Sequence, residues 1–399
     1  MVNRLTDTVS FRHGAQVHNR IVLPPMLTFS GEPGGFASPA TLEYYRARSQ
    51  AGGLLIAEYH YVSESGGPCT PAGVPEQLGI YDDDHFESIK AIAEALKKDG
   101  SKAILQIHHG GREAMGRAAK GKEVLAPSAI DYSFLSYPVR EMTNEEIEEI
   151  IQDFGRATKR AIDAGFDGVE IHGANHYGIQ QFFSKISNQR TDQWGGSLAK
   201  RMAFPLAVVK EVKRVVAQYA PKDFIIGYRI SPEEIHGEAV GYTYKEALEL
   251  IKEVIKHELD YIHLSLWTGY ASKPQGADRT FADYFKEILD VQTKLIVVGG
   301  VFSEDAARDA VEHYTDLIAV GRGTIVDPQF GYKIDRGQGE SIVHEISPEQ
   351  LEKAHWTPGL LQAFTSEGSF GLPPIPNIES IQHLNTGKPE GFSGFSNAN

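Results

Sequence analysis

Eight short runs of β-branched and aliphatic residues recur along this chain, and each is followed by a stretch of helical period. The runs lie at 20–24 (RIVLP), 54–58 (LLIAE), 102–107 (KAILQI), 167–171 (DGVEI), 224–230 (FIIGYRI), 260–264 (DYIHL), 294–298 (KLIVV) and 316–320 (DLIAV). Helical stretches at about 39–51, 84–98, 143–164, 201–218, 243–257, 280–291 and 303–313 lie between them, and one more is expected after 322. Thr143 with Glu146, Ser303 before acidic residues and Asp84 before an apolar run mark helix starts. Such alternation builds a parallel sheet, because a parallel neighbour needs a crossover long enough to hold a helix. Eight βα units is the number that closes a barrel, so the expected fold is α/β, a (β/α)8 TIM barrel forming a single domain over 1–340. Residues 341–399 read as a partly irregular C-terminal extension, and its last thirty residues, rich in Pro, Gly, Asn and Ser, as an extended tail. The rival fold, a doubly wound open sheet, would want a glycine-rich turn after its first strand, and VLPPMLTFSG supplies none.

Charge and cysteine content narrow the partners. The net charge is -14 and no basic cluster stands against it, which argues against nucleic acid. A single cysteine, Cys69, cannot make an intramolecular disulfide or a cysteine-ligated zinc or iron–sulfur centre within one chain. No run of 18 apolar residues is present and the first residues have no apolar core, so a cytoplasmic protein that acts on small molecules, away from membranes, is expected.

In a closed barrel the residues just past the carboxyl ends of the strands converge on one mouth, where chemistry is carried. Here they include Pro25, Met26 and Leu27; Glu58 to His60; Gln106, His108 and His109; His172, Asn175 and Tyr177; Arg229; Ser265; Gly299 and Gly300; Gly321 and Arg322. Two long connections, 108–142 and 172–200, also follow strands and so belong to that face. The glycines after the seventh and eighth runs, in VVGGV and AVGRG, suit a phosphate approached by backbone N–H groups; the plainer alternative is that they merely end strands. Arg229 places a cation at the mouth, and Gln106 can donate and accept, as a uracil-like edge requires, although either could be satisfied by a carboxylate nearby. His172 and Asn175 can together donate to an oxygen that gains negative charge, with the Tyr177 hydroxyl near enough in sequence to deliver a proton.

These motifs, taken in order as NRIVLPPM, LQIHHGGR, LAPS, GFDGVEIHGANHYGIQQFFS, NQRTDQWGGS, YRIS and AVGRG, resemble the old yellow enzyme family, the NADH:flavin oxidoreductases that include FMN-dependent ene-reductases. The resemblance covers roughly residues 4 to 335. It implies FMN as cofactor and NADH or NADPH as reductant, in a ping-pong exchange with an activated alkene, quinone, free flavin or oxygen. It further implies that Pro25, Met26 and Leu27 lie against the flavin, that Gln106 and Arg229 meet its pyrimidine edge, and that Gly299, Gly300, Gly321 and Arg322 hold its phosphate. His172 and Asn175 take the place of the oxygen-binding pair and Tyr177 that of the proton donor, with His109 and Arg112 close to the ring and its loops. Two positions depart from the family pattern: Leu27 stands where a Thr or Cys is common, with Thr28 beside it, and His176 stands where glycine is usual.

Other readings of the same residues are a glycosidase using Glu58 and Glu170 as its carboxylate pair, a non-catalytic flavin carrier, and a metal site built from His108, His109, His172 and His176. The last requires a helix to align His172 with His176, whereas their segment reads as a loop, so no metal is expected. The resemblance and the Pro/Gly-rich tail together point to a homo-oligomer.

Overall fold

A computed structural model describes residues 4–385. Its eight parallel strands are β1 (Ile21–Leu23), β2 (Leu54–Tyr61), β3 (Lys102–His108), β4 (Gly168–Gly173), β5 (Ile225–Ile230), β6 (Tyr261–Leu264), β7 (Lys294–Val298) and β8 (Leu317–Ala319). They pair in chain order, and β8 pairs with β1 to close a barrel, so the expected fold holds. Around it run α1 (Pro39–Ala47), α2 (Phe86–Lys97), α3 (Asn144–Asp163), α4 (Ala203–Tyr219), α5 (Tyr244–Ile255), α6 (Phe281–Ile288), α7 (Glu304–His313) and the short α8 (Arg322–Val326).

Local chemistry explains the boundaries. Thr143 and Glu146 form the expected capping box on α3, and the Ser303 side chain accepts from Ala306 N at the start of α7. The start read at Asp84 is displaced: Asp82 caps a 3-10 turn, Asp83–His85, and α2 begins only at Phe86. Strand starts are tied together by a recurring device. The carboxylates of Asp167, Asp260 and Asp316 each stand just before their own strand and accept from Ala103 N, Ile226 N and Leu295 N of the preceding one, at 2.9–3.0 Å. The Asn19 amide oxygen, ahead of β1, accepts from Gly53 N just before β2 at 2.8 Å. Edge N–H groups that the ladder leaves over are thereby paired, and the register at the amino-terminal end is fixed.

The barrel interior is filled from below. Leu54, Ile56, Ile104, Ile225, Tyr261, Ile296, Leu317 and Ala319 form one apolar cluster, and the hairpin Val9–Ser10 with Gln16–Val17 plugs it through Val9, Phe11 and Val17. Gly227 is obligatory there, because a Cβ on it would meet the Tyr261 ring at 2.1 Å. Alternate residues such as Leu55, Leu105, Val169, Ile226 and Ile262 face outward and pack against the helices.

The connection 108–142 carries two short parallel strands, Val124–Ala126 and Val139–Glu141, and 172–200 carries a helix, Gly178–Phe183. The segment after the barrel folds back over it through helices Pro348–Lys353 and Pro358–Thr365, with Ile346, Leu360, Phe364, Ile375 and Ile381 joining the main core. Of the expected tail, 370–385 is described and includes a 3-10 stretch, Ile378–Leu384; 386–399 lies outside the described residues. Among the described residues no helix is long and apolar enough to cross a membrane.

The carboxylate staples give a stability test. Asp260 is fully buried and also meets the His13 ring at 3.1 Å, so Asp260→Ala leaves Ile226 N without its acceptor. We expect it to cost about 2–3 kcal/mol of unfolding free energy, read from the urea midpoint, with the barrel mouth left intact in the folded fraction.

Candidate active site

Four neighbouring strands change character partway along the lumen, from apolar at the closed end to polar at the open end. Inward positions run Ile104, Gln106, His108 on β3; Gly168, Glu170, His172 on β4; Ile225, Gly227, Arg229 on β5; and Tyr261, His263 on β6, followed by Ser265. Register sets Gln106 beside Glu170, His172 beside Arg229, and Arg229 beside His263. All are buried.

Glu170 organises this layer. Its carboxylate accepts from Gln106 Nε2 at 2.6 Å and from His263 Nδ1 at 2.9 Å. Burial alone would raise its pKa, but the charge and hydrogen bond of His263, with the Arg229 guanidinium, bring it below the ordinary carboxylate range. Glu170 is therefore ionised, and its partners are oriented by it. With Nε2 spent on Glu170, Gln106 presents Oε1 as an acceptor, and Arg229, which donates from one terminal nitrogen to Ser265 Oγ at 3.2 Å, keeps Nε–H as a donor. Both atoms are buried and have no partner among the described residues. A buried acceptor and a buried donor on one wall match the N3–H and the N1/C2=O edge of an isoalloxazine, so the residues present fit a flavin.

A bulge in β2 decides what stands opposite. Between Ala57 and His60 the pairing with β3 slips by one residue, which exchanges the faces of the strand. Glu58 is turned outward, where it accepts from Thr28 N at 3.2 Å, Thr28 Oγ1 at 2.7 Å and the Tyr45 hydroxyl at 3.2 Å. Tyr59 is turned inward and packs with Tyr177, His108 and His172, at ring separations of 4.8–5.3 Å. The Tyr59 and Tyr177 hydroxyls are 3.0 Å apart, and burial holds the Tyr177 phenol well above its ordinary value, hence protonated.

His172 is held as one tautomer. Ala174 N donates to Nδ1 at 3.3 Å, so the ring proton resides on Nε2, which is buried and has no partner among the described residues. Burial, reinforced by His108 and Arg229, keeps this imidazole well below 6.5 and so neutral. Asn175 sits in the left-handed region at φ 58°, anchored through its backbone N to Ser231 Oγ at 2.9 Å. Its Oδ1 accepts from Ser265 Oγ at 2.7 Å, which leaves the amide NH2 as the group free to point elsewhere. Arg229, Ser265 and Asn175, all expected at the mouth from their places after the strands, thus form one chain of hydrogen bonds.

The loop after β1 closes the other side. Leu27 packs against the Tyr59, Cys69 and Tyr177 cluster, while the Thr28 hydroxyl is committed to Glu58 and therefore does not replace a polar group at position 27. Thr357 of the C-terminal extension donates to Thr28 O at 2.5 Å, so the loop is clamped from both sides. Met26 is near Gly321, where a Cβ would approach its sulfur to 3.3 Å, and Pro25 is buried beside it. Gly299 has φ 130° and a Cβ there would come within 2.9 Å of Gly269, so the turn after β7 needs glycine; Gly300 follows at φ 76°. Arg322 donates to Pro374 O at 2.6 Å and lies over the Phe302 ring. His109 and Arg112 are engaged in the long loops, His109 with Gly111 N and Ser65 Oγ, and Arg112 with Glu113, Ser187 and the Tyr132 ring.

Two alternative readings lose their geometry. Glu58 and Glu170 lie on opposite faces of the barrel wall and share no partner, so they do not form a carboxylate pair across a substrate. The four histidines considered as ligands do not converge; among the described residues the one group with metal-ligand spacing shares only His176 with them. Roles for Tyr59, His263 and Ser265 were not assigned from sequence. Tyr59 and Ser265 were placed at the mouth by position but given no role, whereas His263 was detectable as an inward polar position on β6 by simple alternation.

A family model described as the NADH:flavin oxidoreductase / NADH oxidase family matches residues 9–340. The chain is 40% identical over 364 residues to a Bacillus subtilis (strain 168) protein named as a probable NADH-dependent flavin oxidoreductase, YqiG, covering 91% of this chain and 96% of that one. It is 40% identical over 337 residues to an NADH:acrylate oxidoreductase of Vibrio harveyi, covering 83% of this chain and 33% of that protein. It is 37% identical over 397 residues to an NADH:fumarate oxidoreductase of Klebsiella pneumoniae (strain 342), covering 95% of this chain and 42% of that protein. Thus it spans well under half the length of the latter two relatives. Among solved structures, morphinone reductase in complex with tetrahydroNAD matches with a TM-score of 0.72 at 26% identity, over 87% of this chain and 93% of that one.

Glu58 carries a prediction of its own. Burial pushes its carboxyl from 4.5 up to about 7, against the lowering effect of the Thr28 and Tyr45 hydrogen bonds. The folded state then holds a proton that the unfolded chain releases, so stability is greatest below pH 4.5 on this account and falls as pH rises through 7. In Glu58→Gln this loss, on the order of 3 kcal/mol across the window, should vanish. Parallel pH profiles of wild type and variant in urea unfolding would show no difference if Glu58 is ionised throughout.

Proposed function

This chain belongs to the NADH:flavin oxidoreductase / NADH oxidase family and is an NAD(P)H-dependent flavin oxidoreductase, and we propose that its flavin is FMN and its acceptor a small alkene activated by a conjugated carbonyl. The observation that carries the acceptor is the Nε2–H of His172, buried at the mouth without a partner among the described residues, next to the amide of Asn175 and the phenol of Tyr177. Acrylate and fumarate, named in two relatives, are alkenes of this class.

Gln106 Oε1 and Arg229 Nε are assigned to the pyrimidine edge, with Pro25, Met26 and Leu27 against the ring and Gly299, Gly300, Gly321 and Arg322 at the phosphate. When bound there, FMN would supply the hydride-transfer chemistry that links NADH or NADPH to the acceptor. His172 Nε2–H and the Asn175 amide bind the carbonyl oxygen and stabilise the charge it acquires, which a neutral imidazole does without losing its proton. Tyr177 Oη–H protonates the neighbouring carbon, and Tyr59, at 3.0 Å, is placed to restore that proton. Leu27 packs against Tyr59 and Tyr177 beside the hydroxyl pair. We place the enzyme in the cytoplasm, in keeping with the single buried Cys69, and on the family resemblance as a homo-oligomer.

Purified protein should carry a yellow absorbance that bleaches under anaerobic NADH and returns on adding an enone, and the flavin released by denaturation should be FMN. Colourless protein, or a band insensitive to NADH and NADPH, would remove the reading. Tyr177→Phe should slow reoxidation by an alkene about 100-fold or more and leave reduction by NADH near wild type. Equal slowing of both half-reactions would count against a proton-donor role. Because His172 stays neutral, binding of a carbonyl ligand should show no inflection near pH 6.5. An inflection there that disappears in His172→Asn would contradict it.

A further inference from the structure

His176 adopts φ 64°, a left-handed conformation that a non-glycine residue occupies at a cost, so the side chain held there invites a functional account. It faces the hairpin Glu234–His236 with Ala239–Tyr242, which extends from the loop after β5. Glu234 Oε1 is 3.9 Å from His176 Nδ1 and 3.7 Å from His236 Nε2. The three ligand atoms all lie within 4.8 Å of one another, and the two imidazoles are 5.3 Å apart at an interplanar angle of 42°.

We propose that His176, Glu234 and His236 form a site for a borderline divalent transition ion such as Zn²⁺, on the rim of the barrel mouth. Two imidazole nitrogens and one carboxylate oxygen select such ions over Mg²⁺ or Ca²⁺, which take oxygen ligands. Donors bonded at about 2.0–2.2 Å stand roughly 3.3 Å apart in a tetrahedron, so the cluster needs a contraction of up to about 1.5 Å. The two rings can supply it, since both are about one-third exposed while Glu234 is fixed and buried. Gln180 fixes it: its Nε2 donates to Glu234 Oε2 at 3.0 Å, which leaves Oε1 toward the histidines. The same Nε2 also lies 3.2 Å from His176 Nδ1, and that contact is the one a metal replaces. The charge of Arg112, which reaches Glu234, is offset by its own pairing with Glu113.

Three protein donors leave a coordination position for water or another oxygen ligand. The site is one residue from both Asn175 and Tyr177, so an ion would tie the hairpin to the loop that carries them. The inference does not depend on the identity of the flavin or of the acceptor.

The test is calorimetric titration of Zn²⁺ into untagged, flavin-loaded enzyme first stripped with chelator and dialysed. We expect one ion per chain, with affinity falling by more than about tenfold in both His236→Ala and His176→Asn and unchanged in His257→Ala. Near-UV dichroism matching wild type certifies that each variant is folded; should His176→Asn fail that check, Gln180 is retained and His236→Ala with His236→Asn decide. Failure to bind Zn²⁺ at a concentration well above that of the protein, or binding that folded variants leave unchanged, overturns the site.

Discussion

A carboxylate without solvent contact, Glu170, is the constraint on which the mouth of this barrel depends. Ionised in a low-dielectric interior, it has to be met by donors, and the donors it recruits are Gln106 and His263, with the Arg229 guanidinium close by. Each of these groups has more hydrogen-bonding capacity than Glu170 consumes. The surplus is what faces the mouth: an acceptor on Gln106 and an N–H on Arg229. A structural necessity, neutralising one buried charge, therefore also aims the atoms that read a flavin edge.

Orientation is then passed along the rim. Arg229 bonds Ser265, Ser265 bonds Asn175, and Ser231 holds the backbone of Asn175 in its left-handed turn. His172 is fixed independently, by a backbone N–H that dictates which ring nitrogen carries the proton. Opposite them the β2 bulge inserts Tyr59 beside Tyr177 and sends Glu58 out to grip Thr28. That grip, together with Thr357 from the extension, holds the loop bearing Met26 and Leu27. Residues beyond the eighth βα unit are thus part of what shapes the mouth.

The division of the lumen into an apolar lower part and a polar upper part also separates stability from chemistry. Tyr261, packed over Gly227, and the plug of Phe11 and Val17 fill the lower part. The carboxylates of Asp167, Asp260 and Asp316 lock that end by pairing strand N–H groups. The polar groups above can then remain incompletely satisfied without loosening the barrel, because their cost is borne by an interior already closed below them.

What the sequence by itself determined was whatever depends on near neighbours along the chain. The period of the apolar residues gave eight strands and eight helices, the Thr143–Glu146 spacing gave a capping box, and alternation on β4 put Glu170 and His172 on the inner face. Position after the strands singled out Gln106, His172, Asn175, Tyr177 and Arg229, and the ordered motifs added the family resemblance that gives them roles. Only the tertiary structure decided their states. The bulge that exchanged Glu58 for Tyr59 arises in pairing with another strand, the tautomer of His172 follows from a folded-back N–H, and the approach of Glu234 and His236 to His176 joins separate loops. The bulge and the histidine–glutamate approach are contacts between residues distant in sequence, and the His172 tautomer turns on a local backbone geometry two residues away; periodicity along one chain carries no information about either.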